Sequence, residues 1–214
     1  SPSVAICFDA SGPTFRTEIF PDYKIQREAM PEALRPQFSL AKEACEAFGW
    51  SHLSLSGYEA DDLIATLATL ESRNSEGRVA VVGQDKDFMQ LLDHPAVLVV
   101  NPVKNVVETP STCFERFGVT PSQMVDLQAL AGDPTDNVPG VKGIGPKTAA
   151  ALLNEWGGLD EVLDNAGSIK QNKRRESLLA SRDVALLSRD LVRLSRNVPL
   201  DMTMAKGVLS KDRS

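Results

Sequence analysis

The sequence predicts an α/β fold: a core built on a mostly parallel sheet, followed by a helical region. Three observations lead there. Short apolar or β-branched runs, Val4 to Phe8, His52 to Ser56 and Val79 to Val82, alternate with helical patterns through the first half. From Pro110 onward the chain reads as mainly helical. Aspartates follow two of these runs, Asp9 directly after the first and Asp85 and Asp87 in the loop after the third, where an open parallel sheet places its site.

The elements follow in order. Val4 to Phe8 is a buried strand ending at Asp9. Glu18 to Arg35 is polar, mixes aromatic with basic residues and holds Pro21 and Pro31, so it reads as an irregular connector into a helix around Pro36 to Phe48. His52 to Ser56 is the next strand. Glu59 to Leu70 is a helix, with Leu63, Ile64, Leu67 and Leu70 on one face. Val79 to Val82 is a strand followed by Gly83 and the acidic loop Asp85-Lys86-Asp87. Val97 to Val100 and Val103 to Val107 predict two more strands with a turn between them. The domains predicted are an α/β core over 1–109 and a helical region over 110–205.

Composition sets the class. The 214 residues are 42% hydrophobic and 24% charged, the balance of a soluble globular protein. No apolar run reaches the roughly 20 residues that span a bilayer. Cys7, Cys45 and Cys113 are far apart and odd in number, and His52 and His94 have no ligand-spaced partner; zinc sites are not indicated, and a reducing, cytoplasmic setting is expected. The net charge of −6 taken alone argues against nucleic acid as a partner. The charge is uneven, however. Ser168 to Arg196 carries Lys170, Lys173, Arg174, Arg175, Arg182, Arg189, Arg193 and Arg196 against Glu176, Asp183 and Asp190.

The acidic residues are clustered. Asp9 and the pair Asp85 and Asp87 follow strands; Glu59, Asp61 and Asp62 open a helix; Asp133 and Asp136 lie in Gly-Asp-Pro-Thr-Asp-Asn. Glu59 and Asp62 are three apart and share a helix face. So many carboxylates in one pocket repel unless cations join them. Hard divalent ions such as Mg²⁺ take oxygen ligands, and two of them about 4 Å apart hydrolyse phosphodiesters. Taken singly, each group has a plainer reading: Asp61 and Asp62 complement a helix dipole, Asp133 caps a turn, and Asp85 and Asp87 belong to a surface loop.

Val138 to Leu152 is a second feature. Gly140, Gly143 and Gly145 permit tight turns, and Pro146 suits the first turn of a helix. The amides of Gly143 and Gly145, with Lys142, Lys147 and Thr148 beside them, can meet a DNA phosphate without reading bases. A plain helix–turn–helix connection is the alternative.

Together these strings resemble the 5′ nuclease family, which includes flap endonucleases and the 5′–3′ exonuclease domain of bacterial DNA polymerase I. The matching strings are Phe8-Asp9-Ala10, Phe15-Arg16, Asp22-Tyr23-Lys24, Met30-Pro31, Glu59-Ala60-Asp61-Asp62, Asp85-Lys86-Asp87, Gly132-Asp133 through Asp136-Asn137, and Gly140-Val141 through Lys147-Thr148-Ala149. The resemblance implies a PIN-like or resolvase-like nuclease core with a C-terminal helix-three-turn-helix subdomain. It implies Mg²⁺ or Mn²⁺, two or more ions, with Asp9, Glu59, Asp61, Asp62, Asp85, Asp87, Asp133 and Asp136 in or beside the metal site. Lys24 matches an arch lysine that meets the scissile phosphate, with Arg16 and Arg27 as helpers, and residues 16–36 match part of the arch. The turn is expected to hold K⁺ on backbone carbonyls at Leu130, Ala131, Pro139, Val141 and Ile144. The implied partner is DNA with a 5′ flap, nick or 5′ end, near the nucleoid and beside a fused or separate DNA polymerase. Family members begin with a strand carrying an early aspartate; this sequence starts a few residues before Asp9, so a core short of one strand and one ligand is expected.

Two other readings remain at this point: a DNA-binding fragment of the same family with impaired catalysis, and a metal-dependent phosphatase for small phosphate esters.

Overall fold

In the computed structural model, residues 4–74 and 78–200 are described; the predicted end of the helical region, 201–205, lies outside them. The first strand, β1 (Ala5–Cys7), runs parallel to β2 (Ser51–Leu53). Between them come α1 (Phe15–Ile19), an open run of turns, a short 3-10 turn at Glu32–Leu34 and α2 (Arg35–Ala47). The helix α3 (Ala60–Asn74) leads to β3 (Val79–Val82), a long 3-10 segment at Lys86–Asp93, β4 (Val97–Asn101) and β5 (Val106–Glu108). Strand β3 pairs parallel with β4, and β4 antiparallel with β5.

Parallel pairing therefore dominates, as predicted, but in two sheets, β1–β2 and β3–β4–β5, with no ladder joining them among the described residues. Helix α3 holds the two together. Its Leu63 and Leu67 pack with Leu53, Ala5 and Cys7 under the first sheet. Its Ala65 and Ala68 pack with Val81, Val97 and Val99 under the second. The fifth strand is shorter than predicted. Asn101 Oδ1 accepts the N–H groups of Val103 (3.1 Å) and Lys104 (3.0 Å), and Asn105 adopts φ 53°. That local bonding turns 102–105 into the hairpin bend and delays β5 to Val106.

The rest is helical: α4 (Pro110–Phe117), α5 (Met124–Ala131), α6 (Pro146–Trp156), α7 (Leu159–Asp164), α8 (Asn172–Ala180) and α9 (Arg182–Val192). Thr109 caps α4 by accepting the Thr112 N–H, Pro110 fills its first turn and Gly118 closes it at φ 73°. Helix α5 is buried by apolar residues (Met124, Leu127, Ala129, Leu130) and packs against α6 and α9. The main core runs without a break from β3 and β4 into α5, α6 and α7. No helix is long and apolar enough to cross a membrane.

Candidate active site

The predicted acidic residues come from several places along the chain. Asp9 follows β1, Glu59 and Asp61 stand at the start of α3, Asp85 and Asp87 follow β3, and Asp133 and Asp136 lie in the loop after α5. Asp9 Oδ1 accepts the Ala60 N–H at 2.8 Å, so the end of β1 is tied to the start of α3. Asp85 Oδ1 accepts the Asp87 N–H at 2.9 Å and caps the 3-10 segment. Asp133 is 4% exposed and is fixed by a bridge of two backbone bonds with Val138, 3.0 and 2.8 Å.

Their carboxylates sense one another. Burial pushes Asp61 up to about 7, helped by the charges of Asp85 and Glu59. Burial also pushes Asp87 up to about 7, helped by Asp85. Lys24 at Asp61, and Lys86 with the Gln128 amide at Asp87, offset this only in part. The donor set, oxygen only and crowded, fits hard divalent cations. As the side chains stand, no three acidic, histidine or cysteine groups among the described residues converge to ligand spacing. Basic side chains occupy part of the cluster. Lys24 contacts Glu59 and lies 3.6 Å from Asp136, Arg27 pairs with Asp136 at 2.6 Å, and Lys86 pairs with Asp133 at 2.8 Å.

Two of the predicted site residues are buried against each other. Asp62 is 0% exposed and Arg16 is 1% exposed. The Arg16 guanidinium grips Asp62 in a fork (2.7 and 2.8 Å), reaches Glu59 at 3.0 Å, and donates to the carbonyls of Leu191 (2.7 Å) and Arg193 (2.8 Å). Asp62 also accepts the N–H groups of Ser195 (2.8 Å) and Glu59 (3.2 Å). Their polar atoms are thus committed to one another, to Glu59 and to the backbone, with Asp62 beside the cluster and Arg16 behind it. They form a buried tie between α1, α3 and the end of α9.

Lys24 and Arg27 lie in turns that the chain docks onto the Asp133–Val138 loop. Lys24 has φ 56°, uncommon for a residue with a side chain. Its N–H donates to the Asp136 carbonyl at 3.0 Å. Gln26 donates to the carbonyls of Pro134 and Thr135, and the Asn137 amide donates to the Asp22 carbonyl. Sequence reasoning gives Tyr23 no role of its own. Its ring is buried with Val138, Leu191 and Val192, and its hydroxyl lies 3.1 Å from Glu59 and 3.4 Å from Asp136. Burial, then Glu59, raises the phenol well above its ordinary value and keeps it protonated. Lys86 is missed in the same way, although it stands between Asp85 and Asp87.

The glycine-rich turn joins α5 to α6. Val141 N–H donates to the Leu130 carbonyl (2.8 Å) and Ile144 N–H to the Val141 carbonyl (3.0 Å). Val141 and Ile144 are buried, anchoring the turn, whereas Lys142, Gly143, Gly145 and Lys147 are exposed and Thr148 is half-buried. Pro146 occupies the first turn of α6. The basic stretch predicted after Ser168 is only partly free. Arg182 pairs with Asp164, Arg189 with Asp160 and Arg196 with Asp93, and Arg175 donates to the Ile169 carbonyl. Lys170, Lys173 and Arg174 make no ion pair among the described residues.

Residues 1–118 match the N-terminal, resolvase-like domain of the 5′-3′ exonucleases, and residues 119–213 match the C-terminal SAM fold of the same enzymes. The chain belongs to the 5′-3′ exonuclease family. Among its relatives, DNA polymerase I of Rhizobium leguminosarum is 48% identical over 206 residues, covering 96% of this chain and 20% of that polymerase. A thermostable DNA polymerase I of Thermus thermophilus is 41% identical over 206 residues, covering 96% of this chain and 24% of the relative. This exonuclease-family chain thus spans about a fifth to a quarter of the length of these relatives. Among solved structures, bacteriophage T5 5′-exonuclease with bound divalent zinc superposes with a TM-score of 0.81 at 26% identity, over 97% of this chain and 83% of that one. The catalytic core of Rad2 in complex with DNA shares the fold, with a TM-score of 0.54 at 19% identity, over 96% of this chain and 73% of that one.

Proposed function

We propose that this exonuclease-family chain is a structure-specific 5′ nuclease that hydrolyses DNA phosphodiester bonds at 5′ flaps, nicks or 5′ ends with divalent metal ions. One observation carries the reading. Burial lifts Asp61 and Asp87 to about 7, and the charge of Asp85 adds to both, with Glu59 adding at Asp61 and Asp133 at Asp87; Lys24 and Lys86 offset this only in part. Divalent ions answer that deficit. The T5 structure with bound zinc supports a metal site in this fold.

Mg²⁺ or Mn²⁺, two or more ions, would supply water activation and charge neutralisation at the leaving oxygen. Glu59, Asp61, Asp85 and Asp87, with Asp9 beside them, and Asp133 and Asp136 are the residues that would hold them. Lys24 and Arg27, which stand against Glu59 and Asp136, would face the non-bridging oxygens of the phosphate, where a cation stabilises the charge that builds up. The protonated Tyr23 hydroxyl donates to Glu59 and keeps that carboxylate aimed inward. Lys142, Lys147, Thr148 and the amides of Gly143 and Gly145 hold the duplex by its phosphates. A K⁺ ion on carbonyls of the α5–α6 turn (Leu130, Ala131, Pro139, Val141, Ile144) belongs to the same proposal. So do action on chromosomal DNA and pairing with a DNA polymerase, which rest on the polymerase I relatives.

The test is Mg²⁺-dependent release of product from a 5′-labelled flap. Asp87→Asn is expected to lower cleavage by at least about 10²-fold with flap affinity kept within about threefold, because one ligand is neutralised without a change of volume. Normal cleavage by that variant rejects the metal-site assignment. Binding without cleavage by the parent chain leaves a DNA-binding module, and faster hydrolysis of a small phosphomonoester than of the flap favours a phosphatase.

A further inference from the structure

Gln128 lies in the middle of α5, and its chain neighbours Leu127, Ala129 and Leu130 are all buried. It is itself 4% exposed. Its Nε2 reaches across to the loop after β3 and donates to Asp87 Oδ1 at 2.6 Å. This is the one side-chain hydrogen bond that Asp87 accepts among the described residues. The other end of the amide is left over: Gln128 Oε1 is buried with no hydrogen-bond partner.

A buried amide with an unmet acceptor costs folding free energy that an unbranched apolar side chain of the same length would not. The stability of α5 therefore does not explain a glutamine at this place. The contact with Asp87 does. A neutral donor can fix a ligand oxygen without adding a charge that would compete with a bound cation, as lysine or arginine would.

We propose that Gln128 is a positioning residue for the metal site: its amide pins Asp87 Oδ1 and leaves Oδ2 as the free ligand atom, set before any ion arrives. Helix α5 thereby helps to shape a site whose proposed ligands follow β1 and β3, open α3 and lie in the loop after α5. The inference rests on the metal-site reading given above.

The experiment compares the parent chain with Gln128→Met, which keeps the length and removes the donor. Mg²⁺ and Mn²⁺ binding is measured by calorimetry without DNA, thermal unfolding is followed in EDTA, and the Mg²⁺ dependence of flap cleavage is recorded. The variant is expected to bind divalent ions about 10-fold more weakly and to need correspondingly more Mg²⁺ for half-maximal cleavage. Its melting temperature in EDTA is expected to equal or exceed the parent's. Unchanged ion affinity in Gln128→Met overturns the inference and leaves the metal site standing. A lower melting temperature with parent-like ion affinity also overturns it, since that marks a packing role. A parent chain that binds neither ion overturns the metal-site reading and this inference with it.

Discussion

Asp61 and Asp87 are where the chemistry presses hardest on the fold. Both rise from an ordinary 3.8 to about 7, chiefly through burial and then through Asp85. Between about pH 4 and pH 7 the folded protein therefore holds protons that the unfolded chain has released, so stability contributed by the neutral acids is full below that window and lost as pH rises through 7. Above it, the two carboxylates are ionised and short of positive charge unless a cation is bound. Asp61→Asn removes one of them. In EDTA at pH 8 it is expected to melt about 3–6 °C above the parent, a difference that shrinks at pH 5, and it should lose much of the stabilisation that Mg²⁺ gives the parent. Equal melting at pH 8 would mean that the repulsion is already relieved within the protein. The acids themselves were legible in the sequence because they follow strands or open a helix. Their separate fates were not. Spacing put Glu59 and Asp62 on one helix face, but only the folded chain shows that Arg16 takes Asp62 for itself while also reaching the Leu191 carbonyl, 175 residues along the chain. Charge and position along a strand of letters cannot separate a buried tie from a ligand. Gln128 was invisible for a related reason: within an apolar helix it reads as one polar exception among core residues.

At the scale of elements, the turn between α5 and α6 is set by two glycines that face each other. Gly140 has φ +61°, and a Cβ there would come within 2.3 Å of Gly132 N and 2.7 Å of the Ala131 carbonyl carbon. Gly132, at φ +73°, would bring a Cβ to 2.7 Å from the Val138 carbonyl oxygen. These are backbone atoms and cannot swing aside. The Gly140 N–H is in addition held by the buried Ser188 hydroxyl of α9 at 3.1 Å. Gly140→Ala is expected to destabilise the protein by about 2 kcal/mol or more, measured by urea unfolding, and to weaken flap binding with it. An unchanged midpoint would show that the turn can open without cost. The sequence announced a glycine-rich turn before a proline-started helix, because Gly and Pro carry their backbone preferences with them. It did not announce which glycine packs against which, since that depends on α5 and α9 meeting. The division of the sheet was hidden likewise. Strand-forming runs show in the letters; the absence of a ladder between β1–β2 and β3–β4–β5 among the described residues is a property of their arrangement, with α3 turning Leu63 toward one and Ala65 toward the other.

The whole molecule carries a net charge of −6, and the proposed substrate is a polyanion. In the proposed reading the acidic cluster opposes DNA until ions enter it, whereas Lys142 on the turn and Lys147 in the first turn of α6, both exposed, attract it. That reading assigns grip and chemistry to different surfaces. Lys147→Ala is expected to weaken binding to the same degree for flaps of any sequence and to reduce the slope of log affinity against log salt by about 1. A loss confined to one sequence would point to base contacts instead. Net charge was the feature most misleading at this scale, because a sum hides where the charges sit. The run after Ser168 misleads in the opposite direction: Arg182, Arg189 and Arg196 pair at the surface with Asp164, Asp160 and Asp93, so part of that positive charge is already neutralised within the protein.

The turns that carry Lys24 and Arg27 are clipped to the Asp133–Val138 loop through Lys24 N–H, Gln26, Arg27 and Asn137, with the Tyr23 hydroxyl also near Asp136. A clip of this kind makes the two segments one lever. In the proposed reading, a phosphate that draws Lys24 toward itself would pull on the backbone that carries Asp136, and an ion that draws Asp136 inward would carry the basic turn along. Loading the substrate and seating the cation would then be two hands on the same handle.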